Sequence, residues 1–332
     1  MKIQWTQLHN KMKEEGLDKY GFYSVDPRSS FTENLSRENA RLEKWQDMLY
    51  RWDYNTKRRQ DFIKKRVRKG IPDGLRGTVW PRLAKAAELK KEYPENYYYS
   101  LLENGESPCL GQIMKDINRT FPDHILFRHE EGQEALLRVL KAYSQFDPEV
   151  GYCQGMGFIL AIFLMYLKEE DAFWMMAAVM GSYGMREFYL PGMPGVYKSF
   201  YQVNGLLKHY LPSLWDYLVD LKIYPCMFAP AWLMTLYVNF FKVDTVLRIL
   251  DVFLNEGPKI LFRVYITVFK LLKNKLMTMS CDQILESMRV LANDFETDRF
   301  IKKIFKISLS RKRLQQLLNE YETNPNSELI NW

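Results

Sequence analysis

A chain of 332 residues with 47% hydrophobic and 26% charged side chains can bury a large core, and its length fits about two domains or subdomains. The formal charge is +7, yet residues 57–69 (KRRQDFIKKRVRK) hold eight basic residues and one acidic, which leaves 39 basic against 39 acidic elsewhere. The basicity is therefore a local patch, and with no groove-reading motif beside it, it excludes nucleic acid as an expected partner.

Residues 1–35 read as a polar lead with a turn signal at Asp26–Pro27 and no visible signal peptide or Arg-rich transit segment. From Ser36 the pattern becomes helical, with Leu42, Trp45, Leu49 and Trp52 at helical spacing, and the run flows into the basic stretch. That stretch has two readings. It attracts anionic lipid headgroups or an acidic partner face, or it is a solvated helix face with Phe62 and Val67 packed inward. Gly70-Ile-Pro72 then opens a helix in which Arg76 and Trp80 stand one turn apart.

After a Tyr-rich segment (Tyr93, Tyr97 to Tyr99) and a polar loop comes Ile113-Met-Lys-Asp-Ile-Asn-Arg-Thr-Phe-Pro-Asp-His124. Ile113, Ile117 and Thr120 form a helical stripe, and Pro122 closes the helix shortly after Arg119. Asp116 precedes Arg119 by three residues, so its carboxylate is placed to steer the guanidinium. Alone this is an ordinary helical ion pair.

Residues 133–146 read as a helix with Leu136, Leu137, Leu140 and Tyr143 inward, broken by Asp147-Pro-Glu. The chain is thereby delivered to Gly151-Tyr-Cys-Gln-Gly-Met-Gly157. Three of the 17 glycines fall in these seven residues, directly before the apolar run 158–167. Such a cluster implies unusual dihedrals or close backbone approach. Gln154 is the one long polar side chain here. Its neutral amide suits orienting a water more than moving a proton. The alternative is a loop-to-helix joint in which Gln154 caps a backbone group.

Beyond Asp171 only helix patterns and turn breaks occur, at 191–195, 211–212, 224–230 and 256–258. The helix over 244–255 carries Leu247, Leu250 and Leu254 on one face, and a last helix follows Ser310. The uncharged run from Ile223 to Phe241 contains Pro225, Pro230 and Asn239, so it reads, like the run from Met156, as buried core helix and not as a transmembrane segment. Alternating strands are absent, and the fold class expected is all-α.

Several chemistries lack their parts. There is no phosphate loop, no dinucleotide fingerprint and no G-x-S-x-G elbow. His124 and His129 read as solvated surface and not as a metal site. Cys109, Cys153, Cys226 and Cys281 form no C-x-x-C pair, which fits reduced thiols in a cytosolic compartment.

Taken together, four short stretches resemble the TBC-domain family, GTPase-activating proteins for Rab GTPases. Ile113-x-x-Asp116-x-x-Arg119 and Tyr152-x-Gln154-Gly155 match two of its motifs. Gly70-Ile-Pro72 with Arg76 and Trp80 resembles its opening. Arg248-Ile-x-x-Asp251 through Glu256-Gly257 and Phe262-Arg263 resembles a later block. The resemblance implies a multi-helix TBC domain of two helical subdomains over 70–290, after an amphipathic and basic extension at 1–69 and before a helical extension at 291–332.

It further implies that Arg119 is an arginine finger and Gln154 a glutamine finger, both offered in trans to a Rab in its GTP state. Asp116 would hold Arg119 and Tyr152 would support it, while Gly151 and Gly155 let the loop reach the partner. GTP and Mg²⁺ would belong to the Rab, leaving this chain without a cofactor, a metal or a hydrolase site of its own. The implied setting is vesicle traffic, in the cytoplasm or peripherally on endomembranes, with an anionic membrane surface as a further partner for residues 57–69. The alternative is a catalytically silent TBC module that binds a Rab or adaptor as a scaffold. Loss of a finger residue would favour it, and both are present.

Overall fold

The computed structural model describes residues 15–23, 35–105, 107–290 and 295–324, and the turn expected at Asp26–Pro27 lies outside them. Among the described residues every extended element is a helix, and β-type pairing is confined to two isolated bridges, Leu17–Tyr23 and Phe22–His124. The all-α expectation is met. The chain divides into two units, 1–176 and 177–332.

In the first unit the helices are α1 (Leu35–Tyr50), α2 (Trp52–Arg58), α3 (Gln60–Lys69), α4 (Arg76–Ala84), α5 (Ala86–Lys90), α6 (Tyr97–Glu103) and α7 (Leu110–Ile117). They are followed by α8 (Ile125–Arg128), α9 (Glu130–Phe146), α10 (Met156–Leu164) and α11 (Glu169–Ser182), the last crossing the division. Trp45 and Met48 of α1 are fully buried, and the Trp45 indole donates to the Gly70 carbonyl at 3.1 Å. Burying such a ring contributes roughly 2–3 kcal/mol, and its N–H is satisfied. The expected single amphipathic run breaks at Arg51 and Arg59, where Asn55 turns inward and donates to the Met48 carbonyl at 3.1 Å. In α3 the buried pair is Ile63 and Val67, spaced i,i+4, which replaces the expected Phe62 and Val67. Phe62 instead lies half-buried under the guanidiniums of Arg59 (4.5 Å) and Arg66 (5.2 Å).

α9 and α10 form the scaffold beneath the residues of interest. Leu136, Val139, Leu140 and Tyr143 of α9 are buried, and α10 buries every residue from Ile159 to Leu164. Arg138 on α9 clasps Glu169 with two hydrogen bonds of 2.9 and 2.8 Å, and Tyr98 of α6 donates to the same carboxylate.

The second unit holds α12 (Pro194–Tyr210), α13 (Pro212–Asp220), α14 (Ala229–Leu233), α15 (Val243–Glu256), α16 (Lys259–Leu276), α17 (Cys281–Val290), α18 (Thr297–Ile304) and α19 (Arg311–Thr323). The uncharged run 223–241 is largely buried, yet it is no continuous helix. Pro225 and Pro230 restrict helical pairing to a 3₁₀ turn and the five-residue α14, and Leu236 and Tyr237 take left-handed backbone at φ 51° and 66°. Among the described residues no helix is long and apolar enough to cross a membrane. In the later motif block, Asp251 and Glu256 are buried and Arg248 pairs with Asp298 at 2.7 Å.

His124 departs from its expectation. The residue is only 5% exposed, its ring edge-on to Phe22 at 4.7 Å, while His129 is exposed as expected. Among the described residues no cluster suits a metal ion. A carbonyl only accepts, so the 2.9 Å contact from Nε2 to Tyr20 O places the proton on Nε2, and Nδ1 accepts from the Leu126 N–H at 3.2 Å. Burial lowers the His124 pKa from 6.5 to about 4. The folded state therefore holds this ring neutral, while the unfolded chain takes up a proton first as pH falls. Its contribution is intact above pH 6.5 and is lost progressively down to about pH 4, a total of about 3 kcal/mol. Urea denaturation between pH 7.5 and 4 should show this slope in the wild type, and His124→Gln should lack it.

Candidate functional site

Two loops of the first unit meet over α9 and α10. The first follows α7, which ends at Ile117, so Arg119 sits two residues beyond the helix and not inside it. The Thr120 hydroxyl, buried, donates to the Asp116 carbonyl at 2.8 Å and so takes up an acceptor at the helix end. The second loop leaves α9 at Asp147, whose carbonyl accepts from the Gly151 N–H at 2.8 Å, and enters α10 through Gly155.

Asp116 joins the two. Its Oδ1 accepts from Arg119 Nε at 2.9 Å and Nη2 at 2.7 Å, and its Oδ2 accepts from the Tyr152 hydroxyl at 2.6 Å. Burial, with the hydrogen bond and charge of Asp116, pushes the Tyr152 phenol well up, so the hydroxyl stays protonated and donates. Gln154 is exposed, and with its amide oxygen turned to the guanidinium it accepts from Arg119 Nη2 at 2.9 Å and Nη1 at 3.1 Å.

These four side chains form one continuous network. The Arg119 side chain remains 45% exposed, against 15% for Asp116. An ion pair this exposed adds at most about 1 kcal/mol to stability, so folding does not account for its elaborate support. An exposed, always-charged planar donor beside a neutral amide suits the stabilisation of an anionic group brought from outside. Cys153, on the same loop, is not a nucleophile candidate, since burial pushes its thiol up.

Residues 73–277 match the Rab-GTPase-TBC domain family. The chain belongs to this family. A human relative, Ecotropic viral integration site 5 protein homolog, is 32% identical over 312 residues, covering 92% of this chain and 38% of the relative. A Caenorhabditis elegans relative, Rab GTPase-activating protein tbc-11, is 33% identical over 311 residues, covering 90% of this chain and 33% of the relative. The chain thus spans about a third of the length of these two relatives. The solved Chlamydomonas flagellar RabGAP TBC domain is 28% identical with a TM-score of 0.71, over 87% of this chain and 98% of that one.

All six site residues expected from the TBC motifs lie in this one cluster or its loop: Arg119, Gln154, Asp116, Tyr152, Gly151 and Gly155. Other participants carried little sequence signal. Thr120 looks like one more stripe position, and Phe121 adopts left-handed backbone at φ 50°, which no aromatic residue announces. Cys109 lies against Gly151, where an added Cβ would sit 2.8 Å from its sulfur.

Gly151 also has a φ of +58°, so Gly151→Ala should cost about 1–2 kcal/mol from backbone strain plus a steric share. Cys109→Ala beside it should recover the steric share and leave the backbone share. Urea denaturation of the two variants measures both. Full recovery in the double variant would remove the argument from backbone conformation.

Proposed function

We propose that this chain accelerates GTP hydrolysis by a Rab-type small GTPase in its GTP state, with Arg119 and Gln154 supplied in trans. The carrying observation is the joined network of Asp116, Arg119, Tyr152 and Gln154, exposed at its two finger residues, on a chain of the TBC family. The relative named as a Rab GTPase-activating protein supports the partner class. GTP and Mg²⁺ belong to the Rab in this reading, and the chain brings no cofactor.

Phosphoryl transfer needs positive charge on the transferring group and a positioned water, and an arginine given in trans is worth about 10³–10⁵ in rate in other systems. Asp116 keeps the Nε edge of Arg119 fixed, so its direction is set before the partner arrives. The opposite edge rests on Gln154. On engagement, phosphate oxygens replace the Gln154 oxygen on Nη1 and Nη2, and the freed amide turns to orient the attacking water. Because each side chain releases the other, the two act as a unit.

Single-turnover hydrolysis by a panel of GTP-loaded Rabs, with and without this chain, is the test. Arg119→Ala and Gln154→Ala should each lower stimulated hydrolysis by at least about a hundredfold. The double variant should be little worse than the weaker single, while binding to the GTP-loaded Rab persists. Asp116→Ala should lose much of the activity and keep its helical circular dichroism. Near-normal turnover by Gln154→Ala, on a Rab with its own glutamine intact, would falsify the dual-finger mechanism. Binding without acceleration by the wild type would instead mark a scaffold.

The basic stretch supports peripheral attachment to an anionic endomembrane surface from the cytoplasm, in keeping with a role in vesicle traffic. Lys57, Arg58, Arg59, Lys65 and Lys69 are exposed. Changing these five to Gln should weaken binding to phosphatidylserine vesicles and leave solution activity on a soluble Rab nearly intact. Unchanged vesicle binding would reduce the stretch to a solvated face.

A further inference from the structure

The segment 17–23 lies outside the region matched to the family, and the mechanism above gives it no task. It is bonded to the residues that follow Arg119. The Ile125 N–H donates to Gly21 O at 2.9 Å, the Tyr23 N–H to Asp123 O at 2.9 Å, and His124 Nε2 to Tyr20 O at 2.9 Å. The segment is itself closed into a hook. Asp18 Oδ1 accepts from the N–H groups of Tyr20 (2.8 Å) and Phe22 (2.9 Å), and the Asp18 N–H donates to Phe22 O at 2.8 Å. Gly21 has a φ of +89°, and an added Cβ would stand 2.9 Å from His124 Nε2.

What the hook grips is a turn that needs holding. Phe121 is left-handed at φ 50°, a conformation disfavoured for any residue with a Cβ. Its ring is enclosed by Phe22 at 5.5 Å, Phe158 at 5.7 Å and Phe127 at 6.4 Å. Two residues upstream stands Arg119, already past the end of α7, its own N–H reaching Asp116 O at 3.3 Å. The backbone bearing the finger is therefore fixed on one side by α7 and Thr120, and on the other by the Phe121–Ile125 turn.

We propose that the hook formed by residues 17–23 is a positioning element for Arg119: it holds the Phe121 turn and so sets the direction in which the guanidinium leaves the backbone. This rests on the finger role proposed for Arg119. A tie that served stability alone would lower the melting temperature and leave turnover intact. A positioning tie lowers kcat while binding persists, because a displacement of about 1 Å at a reacting group costs up to about a hundredfold.

The experiment uses the full chain with Phe22→Ala and Gly21→Ala, alongside the wild type and Arg119→Ala. Single-turnover hydrolysis on a responsive Rab over a range of chain concentrations separates kcat from KM. Hydrogen exchange over residues 118–126 reads the turn without any Rab. The expected result is a kcat lower by about 10–100-fold with KM within about threefold. Exchange should be faster over 118–126 and unchanged in α9. If Arg119→Ala abolishes stimulation while both hook variants keep wild-type kcat, the finger reading stands and the hook proposal falls. If no Rab responds to the wild type, the finger reading fails. The hook's role as a positioning element for that finger falls with it, and exchange then reports only whether the hook holds the turn.

Discussion

The carboxylate of Asp116 is the interaction on which the site depends. One oxygen takes Arg119 from its own turn, and the other takes the Tyr152 hydroxyl from 36 residues away. The second bond ties the two loops together beneath the Gln154–Arg119 contact that also joins them. With it, the residue that orients Arg119 is itself oriented by the loop that carries Gln154. The Tyr152 phenol, held protonated by burial, can only donate to this carboxylate. The network therefore has a fixed sense, from a buried hydroxyl through a half-buried carboxylate to an exposed guanidinium.

This gradient of burial divides the labour. α9 and α10 are rigid because their inward faces are large, apolar and almost fully enclosed. The two loops add polar groups whose partners are local, so few buried polar atoms are left to penalise the fold. Of the four networked side chains, only Arg119 and Gln154 are exposed. A site of this kind does not enclose a ligand. Its guanidinium and amide are open to a group brought from outside.

Much of this was legible in the sequence for physical reasons. The i,i+3 spacing of Asp116 and Arg119 dictates proximity wherever a helical turn forms, and three glycines within seven residues announce an irregular backbone beside Gln154. Helix existence followed from periodicity, and the breaks at 211–212 and 256–258 followed from proline and glycine. The break of the lead helix at Arg51 had no such signal, and there the Asn55 side chain bonds the Met48 carbonyl across it. The surface expectation for His124 rests on Asp123 and the acidic residues near His129, whereas in space its ring packs edge-on to the distant Phe22. Its partner Tyr20 lies 104 residues earlier. The left-handed Phe121 was invisible for the same reason: contacts distant in sequence hold it there.

The central claim is that Gln154 takes over the alignment of water from the GTPase while Arg119 supplies charge. The most direct test is single-turnover GTP hydrolysis by a responsive Rab whose own catalytic glutamine is replaced by alanine. If Gln154 performs that task, stimulation by this chain should remain within about tenfold of that on the unaltered Rab, and Gln154→Ala should then abolish it. Complete loss of stimulation on the altered Rab, with the wild-type chain still bound, would contradict the account.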